Sequence, residues 1–217
     1  MKNKITGIIC VALCAIALLL SASFAIRNII KLSGIFPIDK IEGVLEKGEY
    51  VEGDLAVTPR VLYRVDHTTN FIPTGKDRYY SAFDEATNTV YIVKAGKGLE
   101  EKAELNSVQH IKGKVYKADS DTKGKLSEYG NEFLDAGYNL GYSGEVLFID
   151  TQVFFRSVIN VAAIIVMLLG IFMIAFSPVA RKPVNTFTPA DHAVVALSFV
   201  LFIAGGIALF WVTTINL

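Results

Sequence analysis

This chain of 217 residues has little cysteine, little histidine and no net charge. Its two cysteines, Cys10 and Cys14, lie four apart near the start, on one face of an apolar stretch, where they read as small apolar residues. Neither follows the small residue that a lipid-attachment signal requires. Residues 27–156 contain no cysteine, so no disulfide holds them together and no thiolate can bind zinc there. Lys+Arg and Asp+Glu both number 21. That balance supplies no cationic surplus to displace counterions, so nucleic acid is not an expected partner. Charged residues make up only 19% and hydrophobic residues 52%, which excludes a disordered chain. Also missing are a Gly-x-Ser-x-Gly elbow, a His-Glu-x-x-His pair, a phosphate loop and an EF-hand loop. No cofactor and no metal is expected.

Three stretches lack Asp, Glu, Lys and Arg altogether: Ile5 to Ile26, Ser157 to Ala180, and His192 to Leu217. Each exceeds the roughly 20 apolar residues that a helix needs to cross the hydrocarbon core. Phe154 and Phe155 precede the second and Phe210 and Trp211 lie in the third, where aromatic rings favour the headgroup level. The first stretch, with Lys2 and Lys4 before it and Ser21-Ala22-Ser23 near its end, also fits a signal peptide. Its apolar core is long for that role, so an uncleaved anchor is the favoured reading. The predicted plan is a signal-anchor at 1–26, a tether at 27–37, a domain at 38–153, spans at 157–180 and 192–217, and a loop at 181–191. Lys2, Lys4, Arg181 and Lys182 place the N-terminus and that loop in the cytoplasm, and the 38–153 domain and C-terminus outside the plasma membrane.

Between the first two spans the pattern changes to short runs rich in Val, Ile, Tyr and Phe, separated by Gly, Pro, Asn and Asp. Such runs predict strands at about 38–46, 50–57, 60–67, 78–84, 89–95, 108–118 and 145–153. Leu126, Tyr129, Phe133, Leu134 and Gly137 form one apolar stripe that predicts a helix over Lys123 to Tyr138. A short polar helix is expected over Leu99 to Asn106. Many strands with one late amphipathic helix point to a mainly-β domain, a small OB-like barrel or a curled sheet, beside α-helical spans.

The candidate catalytic residues are Asp66, His67 and His110. Asp66-His67 has the composition of half an acid–base pair, although isolated histidines at strand ends are more often edge residues. Glu42, Glu46, Glu49, Glu52 and Asp54 form an acidic run that reads as a solvated strand face. Lys112, Lys114, Lys117, Lys123 and Lys125 form a basic set with the composition to contact anionic lipid or an anionic polymer. Asp191-His192 reads as a helix start, with Thr188 or Asp191 as the N-cap. The span centres carry no charge, which argues against a self-contained ion-coupled pump. Ser21 with Ala25, and Ala204 with Ala208, have the spacing of helix-packing pairs.

The segments Ile41-Glu42-Gly43-Val44, Thr74-Gly75-Lys76-Asp77-Arg78-Tyr79-Tyr80 and Ile111-Lys112-Gly113-Lys114-Val115, set in this plan, resemble small three-span membrane proteins of Gram-positive bacteria grouped as a domain-of-unknown-function family. The resemblance implies the architecture and carries no activity, so it transfers no functional residue. The function expected is that of a non-enzymatic multi-pass protein whose exported β-domain binds a protein partner as an accessory or regulatory subunit of an envelope complex. An envelope enzyme acting on lipid or cell-wall substrate, and a component of a transport complex, are the alternatives. The partners expected are the bilayer, a membrane or envelope protein, and a second copy of the chain.

Overall fold

The computed structural model describes residues 2–69, 72–95, 99 and 107–214, without the side chains at 2–14, 67–69, 72–75, 180 and 210–214. Side chains of Cys10, Cys14, His67, Phe210 and Trp211, and the helix expected after Leu99, therefore lie outside the described residues. The chain divides into two compact units. One combines Met1–Arg27 with Arg156–Thr213, and the other is built on Asn28–Phe155.

The first unit is helical. Helix α1 spans Lys2–Leu32, α3 Val153–Phe176 and α4 Pro189–Thr214. All three contain a window long and apolar enough to cross a membrane: Ala15–Leu32, Val153–Phe176 and Pro189–Leu209. The close approach of α3 and α4 uses glycines. A side chain at Gly170 would strike the Ser198 carbonyl, and one at Gly205 the Ala163 carbonyl. Lipid offers helices no hydrophobic drive to associate, so backbone proximity through small residues supplies the packing. Helix α4 starts with Thr188 as N-cap and Pro189 in the first turn. The Thr188 N–H and hydroxyl donate to Asp191 Oδ2, both at 2.8 Å, and the Asp191 N–H donates back to the Thr188 hydroxyl at 3.3 Å. Lys182 closes this box, with Nζ 2.9 and 2.8 Å from the two Asp191 carboxylate oxygens.

The second unit is a mixed seven-stranded sheet plus one helix. Its strands are β1 (Asp39–Lys40), β2 (Tyr50–Thr69), β3 (Ile72–Asp84), β4 (Thr89–Ala95), β5 (Val108–Lys117), β6 (Asn139–Leu140) and β7 (Leu147–Asp150). Helix α2 spans Ser120–Asp135. The strand order is β1-β2-β3-β4-β7-β5, β6 is attached to β4, and β5 also pairs β2. Neighbours are antiparallel except β1–β2, β4–β6 and β4–β7, which are parallel. One mixed sheet, not a barrel, therefore stands where a small OB-like barrel or a curled sheet was expected. Two-residue strands hang parallel on it, and β2 and β3 run past the sheet as a two-stranded ribbon.

Several boundaries moved for identifiable reasons. The tether expected at 27–37 is helical to Leu32, after which residues 33–36 turn the chain, with Gly34 at φ +81°. The strands expected at 50–57 and 60–67 are one strand running through Pro59, with register shifts between Val57 and Val61 and between Val61 and Tyr63. A proline cannot donate to a ladder, so it fits where β2 leaves β5 and has a free edge. Helix α2 begins at Ser120 rather than Lys123, because the Asp119 carboxylate accepts from the Thr122 N–H at 2.8 Å and caps it. Its buried face is Thr122, Leu126 and Gly130, and Leu134 from the expected stripe is half exposed.

Strand alternation explains the core. One face of the sheet buries Leu55, Val57, Tyr80, Tyr91, Val93, Ile111, Val115 and Ile149 in one cluster. The opposite face buries Tyr79, Ile92 and Phe148 with Leu126 of α2. Covered on both faces, β4 is buried at every one of its seven positions.

Candidate functional site

The sequence candidates separate in space. The Asp66 carboxylate lies 3.4 Å from Lys76 Nζ across the ribbon, both side chains being more than half exposed. The His67 backbone pairs with Gly75 near the ribbon end. His110 belongs to β5, where it pairs with Asp54 in the other half of β2, and its Nδ1 is 2.8 Å from Asp54 Oδ1. The long β2 strand thus carries Asp54, opposite His110, and Asp66, opposite Lys76, in different ladders, and the His67 side chain lies outside the described residues.

His110 instead belongs to a charge ladder. Tyr50, Glu52 and Asp54 on β2 stand opposite Lys114, Lys112 and His110 on β5. Glu52 and Lys112 meet at 3.0 Å, and Lys114 Nζ lies 4.9 Å from the Tyr50 ring centroid. Members of the acidic and basic sets that looked unrelated in sequence are cross-strand partners. Lys117 and Lys125, also in the basic set, are held by Glu145 and Glu128. The bond from Lys117 lowers the Glu145 pKa, and the bond to Glu128 raises that of Lys125.

A second charged group was not singled out from sequence. Lys94 on β4 lies 2.7 Å from Asp77 of β3 and 3.9 Å from Asp150 of β7, with all three side chains no more than 8% exposed. They share a sheet face with Tyr79, Ile92 and Phe148. Asp150 also accepts from the Gln152 N–H at 2.9 Å, while Thr151 bonds the Lys94 carbonyl through its N–H and hydroxyl at 3.0 and 3.1 Å. The group thus fastens the residues immediately before α3 to the sheet. Burial, then the Asp77 charge, pushes the Tyr79 phenol well above its ordinary range. The available signal was a lysine ending the apolar run Val90–Val93 and an aspartate ending Leu147–Ile149.

Two open grooves flank the bulge in β2. One, of about 410 Å³, is lined by Thr58, Phe83, Asp84, Asn88 and Tyr138 among others. The other, of about 270 Å³, shares Thr58 and Phe83 and adds Arg60, Tyr129 and Phe133. The rings of Phe83, Phe133 and Tyr138 meet edge-on at 5.4–6.4 Å and fix the wall between sheet and helix. Asp84 is occupied in its own turn, accepting from the Ala86 N–H and the Thr87 hydroxyl. Among the described residues no group of three or more His, Cys, Asp or Glu is arranged to hold a metal.

The ribbon differs from the rest of the sheet in its edges. The β2–β5 ladder ends at Ala56 and the β3–β4 ladder ends at Arg78. Beyond those points β2 and β3 pair with each other as far as Thr69 and Ile72, and no described strand pairs their outer edges. Tyr63 and Val65 pack its base onto the Tyr79–Leu126 cluster, and the Tyr63 and Tyr79 rings stack at 6.3 Å. Neither protein-family models, curated proteins nor solved structures contain a match to this chain.

Proposed function

We propose that this is a non-enzymatic multi-pass membrane protein whose sheet unit docks a protein partner, serving as an accessory or regulatory subunit of an envelope complex. The observation that supports it is the β2–β3 ribbon, whose two outer edges no described strand pairs. Such edges invite strand addition, in which main-chain hydrogen bonds supply affinity and side-chain alternation supplies specificity. Charged side chains at Arg60, Arg64, Asp66 and Lys76 along it oppose indiscriminate pairing.

Strand order β2-β3-β4-β7-β5, the parallel β4–β7 pair and the β2–β5 ladder support an OB-like arrangement. Lys2, Lys4 and Arg181 support a cytoplasmic N-terminus with the sheet unit outside the plasma membrane.

The test is partner capture from native membranes in mild detergent. Full-length protein is compared with a variant in which residues 66–76 are replaced by an Asn-Gly turn, which joins the paired Val65 and Asp77 in a shorter hairpin. The expected result is a defined partner held by the native protein and lost by the shortened one, with the helices and sheet still folded. A monodisperse native protein with no partner, or equal capture by both forms, would count against the reading.

A further inference from the structure

The end of α1 organises one rim of the sheet unit. The last turn of α1 carries Lys31 and ends at Leu32, beyond the charge-free run that closes at Ile26. Leu32 is buried with Tyr50 and Val153, against which Ile38 and Tyr116 also pack. The Tyr50 hydroxyl donates to Asn28 Oδ1 at 2.7 Å, fixing the start of β2 to the helix. Just past Leu32, Ile35 is 75% and Phe36 54% exposed, two large apolar side chains with no core to enter.

Three lysines, Lys31, Lys112 and Lys114, belong to the elements that meet here, the end of α1 and β5. Lys31 is exposed in the last turn of α1. Lys112 Nζ reaches beside Gly34, where an added Cβ would lie 3.5 Å away, and Glu52 neutralises it. Lys114 is different. Its ammonium rests 4.9 Å from the Tyr50 ring and 5.6 Å from the Tyr116 ring. Among the described residues no carboxylate is in ion-pair reach of Lys114 or Lys31. Two aromatic faces orient the Lys114 ammonium without cancelling its charge. Tyrosine rings, lysines and exposed apolar residues together make the composition of a membrane interface.

We infer that this rim binds the phosphodiester headgroup of an anionic phospholipid in the leaflet beside the sheet unit. Lys114 on its Tyr50–Tyr116 platform and Lys31 hold the phosphate, while Ile35 and Phe36 enter the boundary between headgroups and acyl chains. The basic residues that the sequence groups with Lys114 but that lie further along, Lys117 and Lys125, are occupied by Glu145 and Glu128 and take no part.

The test offers full-length protein in mild detergent an equimolar mixture of phosphatidylglycerol and phosphatidylcholine with matched acyl chains, and counts retained lipid by native mass spectrometry. The native protein should retain phosphatidylglycerol preferentially. Lys31→Gln with Lys114→Gln should reduce that preference by about thirtyfold, each ammonium near an anionic surface contributing about fivefold. Lys114→Arg should preserve it, as should Lys125→Gln, a control outside the rim. Equal retention of the two lipids by the native protein would overturn the inference. So would an unchanged preference in the folded double variant, or loss of the lipid to excess inorganic phosphate, which would make this a free-phosphate site.

Discussion

Two regions of the sheet unit use the same ion-pair chemistry in opposite solvents. Lys94, Asp77 and Asp150 are sealed between the sheet and its surroundings, while Glu52–Lys112 and Asp54–His110 form a ladder on an open face. Burial removes the water that would stabilise each charge separately, so every member of the sealed group depends on the others. On the open ladder water screens each pair, and loss of one partner leaves the other solvated. The contrast teaches that charge at a strand position says little about its energetic role until its face is known.

The largest expected effect tests the sealed group. Lys94→Met keeps an unbranched apolar stem but removes the ammonium that Asp77 and Asp150 share. It should destabilise the protein by about 3–5 kcal/mol, measured by denaturant unfolding in detergent. A cost under about 1 kcal/mol would show that water reaches the site and would erase the contrast between the two regions.

The next effect sharpens it through pH. The Tyr79 phenol beside this group has a raised pKa, chiefly from burial and then from Asp77. The unfolded phenol ionises near its ordinary 10.0 while the folded one stays neutral, so its contribution is full below pH 10.0 and is lost as pH rises further. Tyr91, raised to about 12 by burial, acts in the same direction. Tyr79→Phe should therefore move the alkaline unfolding midpoint to higher pH. An unmoved midpoint would mean that Tyr79 is not the group that titrates.

The smallest effect lies on the ladder. A double-mutant cycle with Glu52→Gln and Lys112→Gln should give a coupling of about 0.2–1 kcal/mol that falls with added salt. The Asp54–His110 pair, more exposed still, should couple by no more than that. Coupling as large as the loss at Lys94 would put the ladder in a sealed environment.

Much of the architecture was legible along the chain. The three charge-free runs became α1, α3 and α4, since a span is specified by composition over about 20 residues and needs no distant partner. Strand β4 fell at the expected 89–95, and the Asp84–Asn88 turn before it is made by local hydrogen bonds. The sites were not legible. Asp66, His67 and His110 stood out only because histidine is rare, and rarity does not bring residues together. Lys94, Asp77 and Asp150 looked ordinary because the face that buries them is made by β3, β4 and β7, which lie far apart in sequence. Lys114 looked like one of five similar lysines until Tyr50 and Tyr116 were seen beneath it.

The sequence by itself determined the partition of charge. Residues 27–156 carry 17 basic and 20 acidic side chains, and the remainder 4 and 1, so zero net charge is a cancellation between −3 and +3. It also determined three apolar helices and a strand-rich segment between the first two, because hydropathy and alternation act over short range. Only the tertiary structure decided which charges are sealed, which are paired in the open and which rest on aromatic rings. Those outcomes depend on strand order and register, and register assigns each side chain a face through contacts that a linear reading does not contain.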